Sequence, residues 1–526
     1  MTPLLMILYL AFFTVVFGVY FIVPKKYRYI VLLVFSLLFF AIYSKFMVVF
    51  ILLTIATVYF AGFGMNKMDE KTKKIIEEQK PEKEQKKILK AKAKKKKKAI
   101  LICSIIFNLG ILVALKYSGF IGSIFEGFFS WFSLKISFPV LAIALPIGIS
   151  YYTLSALGYL IDVCRGKYSA ETNPLKVALF ISYFPQLFEG PFAKFDELTP
   201  QLVEGHSFDA KRAGSGLMLI AWGFLKKIVI ADRLAIVVGE VFKNYAQYNG
   251  VIVVLGIIFF TFQLYAEFSG LIDIAMGISE MFGIKLQKNF EQPFHSQSIA
   301  EFWRRWHISL GAWFREYIFY PVTMSKGMLK LNKKLHGKVK PFFELFIPSV
   351  IALFAVWATN GLWHGAAWKY IIYGLYYYML TLIGMCFEPL FNKIYDKCKI
   401  DKNAVWVKCL KIFRTFVLVN IGMLLFRANT LADSWGMLCQ VFQSGSFKIV
   451  VQGIIDWPDF ILSFICIAVL VTIDILKEHK IDLREKINQK GFYFKLFILI
   501  LIIVTIVIFG AYAGEYVPPD PIYGGF

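Results

Sequence analysis

His364 stands in Trp357-Ala-Thr-Asn-Gly-Leu-Trp-His-Gly-Ala-Ala-Trp368, deep in an apolar run and between Gly361 and Gly365. An ionisable side chain at membrane depth is costly and therefore a functional candidate, with a packed core histidine as the alternative. The Gly361/Gly365 spacing lets a second backbone approach closely. His307 lies in a more polar setting, Glu301-Phe-Trp-Arg-Arg-Trp-His-Ile-Ser-Leu-Gly-Ala-Trp-Phe-Arg-Glu-Tyr-Ile-Phe-Tyr-Pro321. Its near-neutral pKa suits proton transfer; an ordinary interfacial histidine is the other reading. At helical spacing, Trp303, Trp306, Ile308, Leu310 and Trp313 form an apolar face, while Glu301, Arg304, Arg305, Arg315 and Glu316 supply charge. That pattern predicts an amphipathic helix lying in the interface.

Two further stretches break the apolar pattern. In Ser182-Tyr-Phe-Pro-Gln-Leu-Phe-Glu-Gly-Pro191, Pro185, Gly190 and Pro191 interrupt a short apolar run. Broken backbone at membrane depth is tolerated where it lines a cavity or is buried in protein, so Gln186 and Glu189 are expected to face a cavity, with a plain interfacial turn as the alternative. Glu267 and Asp273 place two carboxylates inside another apolar run. Such groups face a bundle interior or water, with Asp273 expected to pair with an arginine. His206, His295, His336 and His479 lie in polar loops, and the seven cysteines show no metal or disulfide spacing.

The elements that must position these residues follow from composition. The chain has 526 residues, 58 Lys+Arg against 35 Asp+Glu (net +23), 58% hydrophobic and only 18% charged residues. Apolar runs long enough to cross a bilayer recur from end to end, which excludes soluble multidomain and disordered classes. They are continuous rather than alternating, which excludes an outer-membrane barrel. The expectation is an all-α polytopic membrane protein of about 11–12 spanning helices with re-entrant and interfacial pieces around a central cavity. Met1–Val23 reads as a retained first helix, since it lacks a basic n-region and an Ala-x-Ala end. Five segments are expected: N-terminal helices over 1–65, a Lys-rich cytoplasmic loop over 66–98, a core over 99–430, C-terminal helices over 431–513 and a tail over 514–526.

Charge sets the orientation, because Lys and Arg stay inside. Asn66–Lys98 carries fifteen lysines against six acids. It is expected to be a solvated cytoplasmic loop that touches anionic lipid, not a nucleic-acid site. Lys25, Lys26 and Arg28 also belong inside, as do Lys477, Lys480, Arg484, Lys486 and Lys490. Both termini are then extracytoplasmic, in the cell (cytoplasmic) membrane.

Taken together, these stretches resemble the membrane-bound O-acyltransferase (MBOAT) family, and within it the membrane subunit type of alginate O-acetylation. The carrying motifs are Leu145-Pro-Ile-Gly-Ile-Ser150, Tyr159-Leu-Ile-Asp-Val163, Phe184-Pro-Gln-Leu187 with Gly190-Pro191, Phe302-Trp-Arg-Arg-Trp-His-Ile-Ser-Leu310, Leu362-Trp-His-Gly-Ala-Ala-Trp368 and Leu425-Phe-Arg-Ala428. The D-alanyl-lipoteichoic acid transfer protein is a close relative of that type. The resemblance implies that His364 is the catalytic histidine and His307 a second functional position. Acyl transfer from a thioester to a hydroxyl needs a base for the hydroxyl proton and donors near the developing oxyanion. Arg304, Arg305 and Asn360 are candidate polarising groups, and Trp303 and Gln186 join them as substrate-binding candidates.

The function implied is movement of an acetyl group from a cytoplasmic thioester donor, acetyl-CoA, across the membrane for O-acetylation of a cell-surface polysaccharide. An extracytoplasmic SGNH-type acetyltransferase or similar protein is the implied partner. Two alternatives stay open: D-alanyl transfer to teichoic acid from an acylated carrier protein, and a non-catalytic transporter or export scaffold. The tail Val517-Pro-Pro-Asp-Pro-Ile-Tyr-Gly-Gly-Phe526 resembles short tails in the same systems. Tyr523 is expected there as an acyl relay: its phenol, of pKa about 10, leaves more readily than a sugar alkoxide.

Overall fold

The computed structural model describes residues 3–134, 136–138, 145–187, 190–446 and 457–511. Among the described residues every extended regular element is a helix, and nine helical stretches are long and apolar enough to span a bilayer. One of them, Lys25–Gln79, joins the helices Arg28–Ser44 and Val48–Gln79 through a tight turn at Lys45–Met47. Shorter helices, such as Ser118–Ser130, Ile149–Arg165 and Pro174–Ser182, account for the remaining apolar runs.

The lysine-rich segment is not a loop. The helices Val48–Gln79 and Lys83–Lys116 run through it and are broken only around Lys80, which is left-handed (φ 38°), and Pro81. Lys, Glu, Gln and Ala are good helix formers, and charge alone does not end a helix that water can solvate. Lys97, 6% exposed, pairs with Asp69 across this hairpin.

The contacts divide the chain into two units. One comprises Leu8–Ala210 with Ser279–Leu286. Within it the Arg28 guanidinium is buried and donates to the backbone carbonyls of Phe21, Val23 and His206. The Ser36 hydroxyl accepts from the Phe184 N–H at 3.1 Å, holding the broken Pro185 segment against the Arg28–Ser44 helix. Phe12, Phe39 and Phe184 pack around that junction.

The second unit contains Lys211–Ile278 and the chain from Gln287 onward. Its centre is the helix Gly250–Phe282, against which Ala210–Phe224 lies with backbones nearly touching. A Cβ on Gly223 would stand 2.6 Å from the Gly270 carbonyl oxygen, so only glycine fits. This approach brings a π-helical turn, Leu225–Ala231, over two carboxylates. Lys226 Nζ meets Asp273 at 2.7 Å and donates to Ser269 Oγ at 2.9 Å. Lys227 Nζ sits between Asp232 at 2.7 Å and Glu267 at 2.8 Å. Asp273 therefore pairs with a lysine, not with the arginine expected from the sequence. Proximity on the neighbouring helix decides the partner, and the wider π turn turns consecutive lysines inward together.

The GxxxG site serves the same purpose elsewhere in this unit. Pro341–His364 and Trp368–Lys397 form a hairpin in which Gly361 faces the Tyr370 carbonyl and Gly374 faces that of Trp357. Lys227→Met would remove a cation that bridges two buried carboxylates, a loss of about 3–5 kcal/mol. We expect a markedly lower unfolding temperature in detergent than for the wild type; equal temperatures would show that the cluster bears no structural load.

Candidate active site

The expected amphipathic helix is interrupted where it matters. Ile299–Arg305 begins at Ser298, whose hydroxyl accepts from the Glu301 N–H, and Ile308–Phe314 follows after a break. At the break His307 adopts φ 48° and ψ 52°, a conformation rare for a non-glycine residue and worth explaining. The cause is a neighbouring strand-like segment. The Glu291 N–H donates to the Arg305 carbonyl at 2.9 Å, and the Ile308 N–H donates to the Asn289 carbonyl at 3.0 Å. These bonds replace helical ones and seat Trp306, 2% exposed, among Phe290, Phe294 and Phe302.

Asn289 also sets the His307 ring. Its Oδ1 accepts from the Ser309 N–H at 2.9 Å and the Ser309 hydroxyl at 2.8 Å. Because a backbone N–H can only donate, this atom must be the amide oxygen, and His307 Nδ1, 3.3 Å away, is then the protonated nitrogen. The lone pair resides on Nε2, the arrangement a general base needs. Burial, and after it the nearby His364, holds the His307 imidazole well below the ordinary histidine range. The ring is neutral at physiological pH.

His364 ends the helix Pro341–His364 and is 3% exposed. Its ring stands perpendicular to those of Tyr373 and Phe426, with centroids 5.5 and 5.3 Å apart. Trp363 bridges the two histidines, 5.8 Å from the His307 ring and 5.0 Å from that of His364. Both histidines line one cavity of about 310 Å³. Trp303, Leu310, Phe314, Leu353 and Trp357 make its wall largely apolar, with Asn360, Thr381, Arg304 and Arg315 as polar members. Asn360 Oδ1 and the Trp303 indole N–H are buried and have no hydrogen-bond partner among the described residues.

Of the sequence candidates, His307, His364, Trp303, Arg304 and Asn360 thus meet on one cavity. Arg305 does not join them. It is engaged by Glu301 at 2.8 Å and Glu478 at 2.7 Å, whose carboxylates push its pKa up. Gln186 belongs to the other unit, where its amide donates to the Pro191 carbonyl at 2.8 Å. Glu189 and Tyr523 lie outside the described residues. Asn289 and Arg315 are residues at the site that the sequence pattern does not mark as such. Asn289 acts across 18 residues of chain, and no periodicity signals such a contact.

The helices and this buried pair of histidines define a multi-pass membrane protein with an aromatic-walled cavity. Residues 165–336 match the membrane-bound O-acyltransferase family. A probable alginate O-acetylase AlgI from Pseudomonas syringae pv. tomato is 31% identical over 440 residues, covering 83% of this chain and 74% of that protein. Its counterpart from Pseudomonas aeruginosa is 33% identical over 350 residues, 66% of this chain but only 61% of that protein. A teichoic acid D-alanyltransferase from Streptococcus thermophilus is 28% identical over 300 residues, 55% of this chain and 69% of that protein. The chain belongs to the membrane-bound O-acyltransferase family.

Asn289→Ala should lower the acyl-transfer rate at least about tenfold by freeing the His307 tautomer, and removes the oxygen that accepts from Ser309, a cost of about 1–3 kcal/mol. Asn289→Asp, which keeps the acceptor oxygen, should recover part of the rate. Equal rates for the alanine variant and the wild type in reconstituted vesicles would remove Asn289 from the site.

Proposed function

We propose that this chain is an acetyltransferase that takes an acetyl group from a cytoplasmic thioester, acetyl-CoA, and passes it across the cell membrane for O-acetylation of a surface polysaccharide. The observation that carries the reading is the convergence of His307 and His364, from separate segments of the chain, on one cavity. The alginate O-acetylase relatives support an acetyl group and a polysaccharide acceptor.

In this reading His364 removes the proton of the attacking hydroxyl as its oxygen bonds to the thioester carbonyl carbon. The carbon–sulfur bond then breaks, and the departing thiolate takes the proton back. The Trp303 N–H and the Asn360 amide are the donors available for the oxyanion. His307, neutral and with its Nε2 lone pair, orients the acceptor or relays its proton. An SGNH-type extracytoplasmic enzyme completes delivery to the glycan.

His364→Ala should abolish glycan acetylation while the protein still inserts and accumulates, and His307→Ala should impair it. Mass spectrometry of surface-glycan esters reads both. Wild-type ester content in the His364 variant would end the assignment, and D-alanyl esters in place of acetyl would move it to the teichoic acid reaction.

The tail belongs to the same proposal. On the orientation set by charge, Tyr523 lies outside the membrane and carries the acyl group between the thioester and the partner. Tyr523→Phe keeps the ring and removes the nucleophile, so acetylation should stop. Tyr523→Cys should react with an impermeant thiol reagent on intact cells. Normal acetylation by the phenylalanine variant would reduce the tail to a docking segment, and protection of the cysteine would reverse the topology.

A further inference from the structure

The three arginines of the insert, Arg304, Arg305 and Arg315, have two fates. Arg305 is neutralised by Glu301 and Glu478. Arg304 and Arg315 are exposed, border the cavity, and have no carboxylate or other hydrogen-bond partner among the described residues. Two guanidinium groups left uncompensated beside an apolar chamber, while their neighbour is paired, are placed for an anion. The chamber behind them is walled by Trp303, Leu310, Phe314 and Trp357, which suits an uncharged acyl end and not the anion itself.

We propose that Arg304 and Arg315 hold a phosphate of the thioester donor at the cavity rim, while its acyl-thioester end enters toward His364 and His307; this rests on the acyl-transfer reading above. Thioester donors of the pantetheine type have this shape, with a phosphate at the far end of a flexible arm from the sulfur. The surrounding charge has the matching sign. The chain continues from Arg315 through Tyr320–Thr323 into the helix Lys326–Leu335. Lys326, Lys330, Lys333, Lys334, Lys338 and Lys340 follow one another there with no acid between them. Such a stretch stays on the cytoplasmic side and draws an anionic donor toward the rim. The phosphate comes from one of two sources, a free coenzyme or the prosthetic arm of a carrier protein, and the rim chemistry is the same for both.

The test uses the full chain in phosphatidylcholine vesicles with three donors: acetyl-CoA, an acetylated carrier protein and S-acetylpantetheine, which lacks the phosphate. The Arg304→Gln/Arg315→Gln double variant should raise the KM for the phosphate-bearing donor by about tenfold or more. With S-acetylpantetheine, which offers no phosphate to hold, the rise in KM should be much smaller. The double lysine variant should recover part of the loss, and rising salt should weaken wild-type donor binding more than that of the glutamine variant. Whichever phosphate-bearing donor the wild type uses identifies the source. An unchanged KM, an equal loss with all three donors, or a defect confined to the acceptor KM would each overturn the proposal. Equilibrium binding of free CoA against pantetheine needs no turnover. A wild type inactive with every thioester would defeat the acyl-transfer reading, whereas CoA binding no tighter than pantetheine, or unaffected by the double substitution, would defeat this one.

Discussion

The pairing of residues 289–291 with 305–308 is the constraint on which the site depends. A continuous helix through this insert would carry His307 around its surface with the tryptophans. Two backbone hydrogen bonds to the neighbouring segment instead force His307 into a left-handed conformation and start a new helix after it. The strain at one residue is offset by the burial of Trp306 and by the bonds that Asn289 makes to Ser309. The ring of His307 is thereby set against Phe268 on one side and Trp363 on another.

That arrangement needs a rigid floor, and the helix Gly250–Phe282 provides it. Glycine contacts bring Ala210–Phe224 against it, and the paired Lys226–Asp273 and Lys227–Glu267 contacts lock the register. Further along, Tyr265 donates to Asp474 at 2.9 Å and Thr261 donates to Asn420 at 2.7 Å. Each contact satisfies a polar group where water is scarce, and breaking one would leave its partner buried. The helix thus binds the Trp457–Glu478 and Val405–Arg427 helices by specific bonds as well as by packing.

The chemistry follows from what surrounds the histidines. Aromatic rings surround both and keep them buried from water. Tyr373 and Phe426 meet His364 edge to face. Charge is kept at the rim, where Arg304 and Arg315 are exposed. Trp303, Asn360 and Thr381 offer dipoles beside the histidines.

Sequence alone determined the helical membrane class, because continuous apolar runs admit only helices once every backbone group must find an internal partner. It also marked His364 and His307, since histidine is expensive in an apolar span and conspicuous among tryptophans. It marked the Gly361 contact through spacing, and the arginine-rich insert through charge. Contacts distant along the chain escaped it. Only the tertiary structure selected Lys226 as the partner of Asp273, assigned Arg305 to Glu301 and Glu478, and left Arg304 and Arg315 at the cavity. These three arginines have the same chemistry, and two of them are adjacent in sequence. The break at His307 and the role of Asn289 were likewise invisible, because a local pattern records which face of a helix is apolar and not which segment will arrive beside it. The lysine-rich hairpin shows the converse: its charge fixed no loop, since helix propensity persists wherever water can solvate the side chains.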